Sequence, residues 1–412
     1  MSISKFVKSL GPGLLYAGAA VGVSHLVQST RVGASFGYDL IWILLIANLI
    51  KYPFFEFAPR YSVTTGKSLV HGYTKMGKWA LILFILLTVS TMFAVTAAIS
   101  LVTSGLLASL TGWDISIYQT STIIMLLIMF FLLLGRFKLL EGMMKYIILI
   151  LSVSTVMAVI FAFKPQLASG PNFDWNNVAN LALLIAFVGW MPAPLDVSVW
   201  YSTWTVAKQK NSEEKINLKT AIRDFNIGYI GTVFLAIFFL MLGALIMYGS
   251  GETFSSEGVA FSGQLIKMYT SSLGSWAHYI IGIAAFTTML STSITVLDAY
   301  PRVLEPSFRL LRAKGEEQQH TKFNKSYLFW LLLVIIGSLV LMIAFGKSMK
   351  FMVDFATTLS FVTAPLLAIL NYCVVMNLPK KNHPKKWLQV LSWIGMLLLS
   401  LFSIFYVIRK FF

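Results

Sequence analysis

Apolar runs of about 20 residues or more follow one another along nearly the whole chain, each long enough to cross a ~30 Å hydrocarbon core as a helix. Inside that core no water is available, so a spanning backbone must satisfy its own hydrogen bonds as a helix or as a closed barrel. A barrel would show segments of ~10 residues alternating apolar and polar, a pattern this sequence lacks. An all-α integral membrane protein is therefore expected. Eleven spans are predicted, near 8–33, 38–63, 79–108, 117–135, 139–163, 178–206, 225–249, 272–299, 326–346, 350–377 and 386–409. The connections leave no room for a soluble domain, and the first run is too long for a removable signal peptide.

Charge supports the same class. Charged residues make up 12% of the 412 and hydrophobic ones 57%, whereas a soluble domain holds about 25% charged residues. The net charge of +16 could suit nucleic acid, but most of the 32 basic residues fall in alternate connections. Lys5, Lys8, Arg60, Lys67 and Lys78 lie on one side, with Lys208, Lys219, Arg302, Arg309, Lys380 and Lys386. The positive-inside rule then places the N-terminus in the cytoplasm and the C-terminus outside, in a plasma membrane, with the bacterial inner membrane expected. Membrane lipid rather than nucleic acid is the partner this balance suits. The single Cys373 excludes a disulfide framework and a thiolate metal cluster. No HExxH or GxSxG string is present, and "TGKS" (65–68) lacks the glycine-rich lead of a phosphate loop. Neither an enzyme nor a cofactor is expected.

Two spans carry interruptions half a chain apart. Span one holds "GVSH" (22–25) at its centre, and span six holds "GWMPAP" (189–194). Pro192 and Pro194 each remove a helical donor and push the preceding residue out of the α region. Non-helical backbone at mid-membrane survives only where protein buries it or where it lines a cavity. Matched breaks in two five-helix halves point to an inverted-repeat transporter with its site at the midplane. On that division the transmembrane domain 1–412 comprises a first repeat (1–163), a second repeat (178–377) and an added helix (386–412). The competing view is that Gly18 and Gly22, four apart, only let two helices pack closely.

Ionisable groups within spans are costly and are candidates for function. Asp196 begins the second half of broken span six, and it is the one carboxylate beside the two breaks. It would cap exposed amides, bind a cation or carry a proton. His25 is either a satisfied core histidine or a ligand and titrating group. Ser24, Gln28 and Arg31 share a face if the helix beyond the break is regular. Arg31 would pair with Asp39 or Asp196, or receive an anion. Trp190 could wall a pocket, whereas Trp200 and Trp204 read as core or belt. Lys51 and Glu56, in "IKYPFFEFAPR" (50–60), are expected to pair with neighbours, and Asp298 and Asp354 to cap or snorkel near span ends. Hydroxyls at every turn of "TTMLSTSITVLD" (287–298), Thr292 among them, suit a coupling Na⁺ or simple packing.

At these residues the chain resembles the NRAMP family of divalent-metal transporters. "GPGLL" (11–15), "GASFGYDLIW" (33–42), "TGKSL" (65–69), "MP" (191–192) and "TTLSFVTAPLLAI" (357–369) are similar to strings of that family. The resemblance implies a LeuT-type fold of 5+5 inverted repeats with about eleven helices, helices one and six broken. The family's Asp-Pro-Gly-Asn metal motif falls on Gly22, Val23, Ser24 and His25, and its histidine after Met-Pro falls on Ala193. Span three, "ILLTVSTMFAVTAAISLVTSGLL" (85–107), holds no acid where the family places proton-pathway carboxylates. Of the usual side-chain ligands only Met191 survives.

Three functions follow as expectations. The first is a secondary transporter of a divalent metal working by alternating access, its site rebuilt from His25, Met191 and Asp196 with backbone carbonyls, coupled to H⁺ or Na⁺ through Asp196 and Thr292. The second is a cation-coupled transporter of a small anionic or amino-acid-like solute. There Gly22 makes room, and Arg31, Gln28 and open half-helix amides suit the solute, with Ser24 and Trp190 as further candidate binding residues. The third is a sensor built on a transporter scaffold.

Overall fold

The computed structural model describes residues 11–134, 137–163, 169–211, 216–312, 325–345 and 348–411. Lys5, Lys8 and the first residues of span one lie outside them. Among the described residues the chain is helical, without strands. Span one is α1 (Pro12–Ala20), a π-helical turn (Ser24–Ser29) and α2 (Thr30–Phe36). Span two is α3 (Ile41–Thr65), and a short α4 (Leu69–Met76) leads into span three, α5 (Lys78–Thr111). Spans four and five are α6 (Ile117–Leu133) and α7 (Phe137–Ala162). Span six is α8 (Val178–Trp190) and α9 (Asp196–Asn211), and span seven is α10 (Leu218–Ile246). A short α11 (Gly258–Leu273) precedes α12 (Ala277–Arg312), α13 (Lys325–Phe345), α14 (Met349–Met376) and α15 (Lys386–Phe411), which are spans eight to eleven.

Among the described residues seven helices are long and apolar enough to cross a membrane by length and composition. The molecule is a multi-pass membrane protein. Its outward-facing side chains match that solvent: Leu49, Leu86, Phe130, Ile230, Ile343 and Leu397 are all exposed. Lipid supplies no hydrophobic drive between helices, so close approach does the work. Gly33 packs on the Leu240 carbonyl and Gly243 on the Thr30 carbonyl, which locks α2 against α10.

The pairing of spans shows the repeat. Span one lies along span seven and span six along span two, while span three lies along ten and span eight along five. Advancing or retreating by five spans turns each pairing into the other, as a 5+5 inverted repeat requires. α4 and α11 sit in segments the hydropathy reads as connections. At 8 and 16 residues they are too short to register as spans.

Candidate functional site at the two helix breaks

The break in span one is narrower than its sequence suggests. α1 ends at Ala20, and Val21 leaves the helix with ψ 86° while its amide still reaches the Ala17 carbonyl at 2.8 Å. The departure is thus at 21–22, and the expected unwinding of 22–25 is corrected. Ser24 and His25 lie inside the π-helical turn, whose wider winding absorbs the irregularity without opening the backbone.

That turn satisfies its own polar groups. Nδ1 of His25 meets the Ser24 hydroxyl at 2.7 Å, and Nε2 meets the Thr232 carbonyl of α10 at 2.9 Å. The ring is fully buried and lies edge-on to Phe239 at 6.1 Å. The Ser24 hydroxyl also approaches the Ala20 carbonyl at 2.6 Å. Gly22 opens no room, contrary to expectation: a Cβ there would stand 2.8 Å from the Thr292 hydroxyl and 3.1 Å from its methyl. Thr292 fills that space and lies 3.2 Å from the Thr288 carbonyl and 3.4 Å from that of Gly18.

The same turn changes who shares a face. Ser24 points back to α1, so it does not join Gln28 and Arg31 as a regular helix would require. Arg31 donates to Gln28 at 3.0 Å and grips Asp354 of α14 with both terminal nitrogens, at 2.6 and 3.0 Å. Gln28 adds 3.3 Å to Asp354 and 3.4 Å to Thr357. Asp354, not Asp39 or Asp196, is therefore the partner, because the second repeat brings α14 beside α2. Asp39 instead accepts the Phe173 amide at 3.2 Å. Asp298 pairs with Arg302 and accepts from Tyr327.

Span six breaks more fully. The helix runs through Gly189 and Trp190, and the non-helical stretch is 191–195 rather than 189–194. Proline acts on the residue before it, so Pro192 ends the helix at Trp190 and holds Met191 extended. Pro194 keeps the following residues out until α9 starts at Asp196. Met191 is fully buried in an apolar cluster with Val32, Phe187 and Leu240. Trp190 donates from Nε1 to Ser360 at 2.9 Å, and Trp200 lies edge-on to Tyr300 at 5.1 Å.

Two charges flank this break. Asp196 is 2% exposed, and its Oδ1 has no hydrogen-bond partner among the described residues. Tyr73 of α4 and Tyr300 of α12 lie within its electrostatic range. On the other side, Nζ of Lys51 from α3 donates to the carbonyls of Val188 and Gly189 at 2.6 and 2.9 Å. Lys51 does not pair with Glu56, which Arg60 takes through Nε at 2.9 Å. The cation thus sits at the C-terminal end of one half-helix and the carboxylate at the N-terminal end of the next, each where the helix dipole favours it. Carbonyl partners have no sequence signature, so only the unpaired look of Lys51 in an apolar run could have signalled this contact.

His25 and Met191 are each engaged elsewhere, the ring with Ser24 and the Thr232 carbonyl and the thioether in an apolar cluster. No group of three or more His, Cys, Asp or Glu side chains that could hold a metal ion exists among the described residues. The end of span one opposite Arg31 is held by other means. Asp224 of α10 accepts the amides of Gly11 and Gly13 at 3.2 and 2.9 Å. Above it Tyr16 packs with Phe55, Tyr201, Phe225 and Tyr229 at 5.4–6.0 Å.

Comparison with known proteins places this scaffold. Residues 13–409 match the family described as Natural resistance-associated macrophage protein-like, Nramp. An uncharacterized protein of Pasteurella multocida is 37% identical over 99% of this chain and 93% of its own length. The divalent metal cation transporter MntH of Staphylococcus aureus is 22% identical over 99% of this chain and 92% of its own. Among solved structures, the Eremococcus coleocola manganese transporter (mutant H236A) superposes with a TM-score of 0.71 at 14% identity, over 98% of this chain and 86% of that one. MhsT in complex with L-phenylalanine gives 0.65 at 14% identity, over 98% of both chains. The fold is thus of the LeuT type, and the chain belongs to the Nramp family.

Proposed function

We propose that this protein is a secondary transporter that carries a divalent metal cation across the bacterial inner membrane by alternating access around the two breaks. The observation that carries the reading is Asp196, a buried carboxylate at the start of a half-helix whose Oδ1 has no hydrogen-bond partner among the described residues, on a scaffold whose relatives include a divalent metal cation transporter. A buried charge is retained at such cost only where something compensates it in part of the cycle. A cation arriving at the break would do so.

Asp196 is the primary ligand in this reading, joined by backbone oxygens of 191–195. With one carboxylate in place, the ion keeps part of its water, which suits a hard cation. His25 and Met191 are spent on packing in this conformation, so they come to the ion only if span one and α8 move apart. Thr292 is positioned to serve the coupling step because it bridges α12 to α1. The two closures alternate: the Arg31–Asp354 clamp seals the expected outer end, and Asp224 with the Tyr16 cluster seals the expected inner end.

The anionic-solute reading loses its principal residue, since Arg31 is already neutralised by a bidentate carboxylate. The deciding experiment is uptake of Mn²⁺ and, separately, Mg²⁺ into proteoliposomes by wild type and Asp196→Asn. Saturable uptake lost in the variant is expected. No uptake above empty liposomes by folded protein overturns the metal reading.

A further inference from the structure

Among the described residues, Lys51 is a buried ionic group beside a break that the proposed transport step leaves unused. A lysine in a membrane helix ordinarily extends its four-carbon stem toward an interface and keeps its ammonium in water. Lys51 does the reverse: it is 0% exposed and turns inward to a helix 137 residues away in sequence. No carboxylate forms an ion pair with it among the described residues. Its contacts are two backbone oxygens, at 2.6 and 2.9 Å.

Those oxygens belong to the last turn of α8. The last four carbonyls of any helix lack intrahelical donors, and together they carry a partial negative charge. Here the Met191 amide reaches the Val188 carbonyl at 3.3 Å, and Pro192 and Pro194 within the break at 191–195 have no amide to give. Two convergent carbonyls at the negative end of a helix, buried in mid-bundle, form a site for a small cation. Unwound backbone and half-helix C-termini coordinate free ions in transporters of this general construction.

We propose that the carbonyls of Val188 and Gly189 form a cation site which the chain fills from within, the ammonium of Lys51 standing where a free monovalent cation would otherwise bind. The site is thus permanently loaded, and the break in span six needs no second ion from solution at this end. It also sets a fixed positive charge on the far side of the break from Asp196, so an incoming cation is directed to the carboxylate and away from the carbonyls. The filled site stands whichever solute is carried, and only the steering toward Asp196 rests on the proposed function.

A plain hydrogen-bonding cap is the competing account, and it differs in one respect: a neutral side chain with two N–H donors would serve as well. The test therefore measures the melting temperature of the purified full-length protein for wild type, Lys51→Ala and Lys51→Gln. Both variants are expected to fall by roughly 5 °C or more. Lys51→Ala removes the equivalent of propylammonium, so propylammonium chloride should restore at least half of its loss, with NaCl or KCl as smaller-cation probes. Tetramethylammonium, which has no N–H, should restore nothing. If Lys51→Ala cannot be purified alone, the readout becomes the yield of monodisperse protein purified with and without propylammonium, expected to rise several-fold. Lys51→Gln matching wild type, or no recovery with propylammonium, Na⁺ or K⁺, overturns the proposal.

Discussion

The two breaks look alike in sequence and differ in how they are filled. In span one the irregularity lies where the resemblance puts the family's metal motif, yet the Ser24 and His25 side chains there both have partners inside the protein. His25 is held through both ring nitrogens, Ser24 returns to Ala20, and Gly22 is pressed against Thr292. In span six the motif is proline-driven and largely apolar, yet two charges without ionic partners stand at its edges, Lys51 and Asp196. A buried group that is satisfied is explained by folding, and one that is left wanting calls for a further explanation, such as an ion or a water. On the function proposed above, the second break is the one that meets the solute.

Substitution can test that contrast. The largest effect is expected at Asp196→Asn, where saturable metal uptake per folded protein falls at least ~10-fold, a barrier of about 1.4 kcal/mol. The melting temperature should hold or rise, because an unpaired buried charge has been removed. An equal fall in uptake for His25→Gln would erase the distinction between the breaks.

Next comes the clamp that closes one end of span one. Arg31→Ala leaves Asp354 without its ionic partner and with the Gln28 amide alone, and should cost about 2–3 kcal/mol, below the 3–5 typical of a fully buried pair because Asp354 keeps 31% of its side-chain exposure. Arg31→Ala/Asp354→Ala should cost less than the two single variants added together. Strict additivity in thermal denaturation would show that the clamp is not an interacting pair.

Gly22→Ala should destabilise by roughly 1–3 kcal/mol through overpacking against Thr292. In a Thr292→Ala background the same change should be nearly neutral, since the hydroxyl and methyl it strikes are gone. An unchanged cost in that background would place the clash elsewhere. His25→Gln is expected to be the mildest, near 1 kcal/mol, the worth of a hydrogen bond that the amide only partly replaces. Its uptake per folded protein should stay within about threefold of wild type.

Much of the architecture is legible in the residues themselves. Apolar runs locate eleven spans, and the proline pair at 192 and 194 locates the second break to within two residues. Asp196 stands out because no other carboxylate lies beside a break. What stays hidden has a physical reason in each case. The π-helical turn leaves no composition mark, so the common face drawn for Ser24, Gln28 and Arg31 fails at Ser24. Gly22 reads the same whether its surroundings are open or filled. Asp354 lies 323 residues from Arg31, and only the packing of one repeat on the other joins them. Lys51 binds backbone oxygens, which every residue type carries alike.

The length of that Arg31–Asp354 separation also bears on how the molecule is made. At a synthesis rate of about 5–20 residues per second, the guanidinium waits roughly 15–65 s for its carboxylate to be translated. Through that interval the nascent first repeat holds an unneutralised cation close to one membrane interface, where a long side chain can reach the headgroups and remain hydrated. Arrival of α14 then neutralises the charge and adds to the hold that α10 already has on α2. Closure at this end of span one is therefore among the last events of assembly, and a chain stopped before α14 would present the first repeat in a loosened form for quality-control proteases to find.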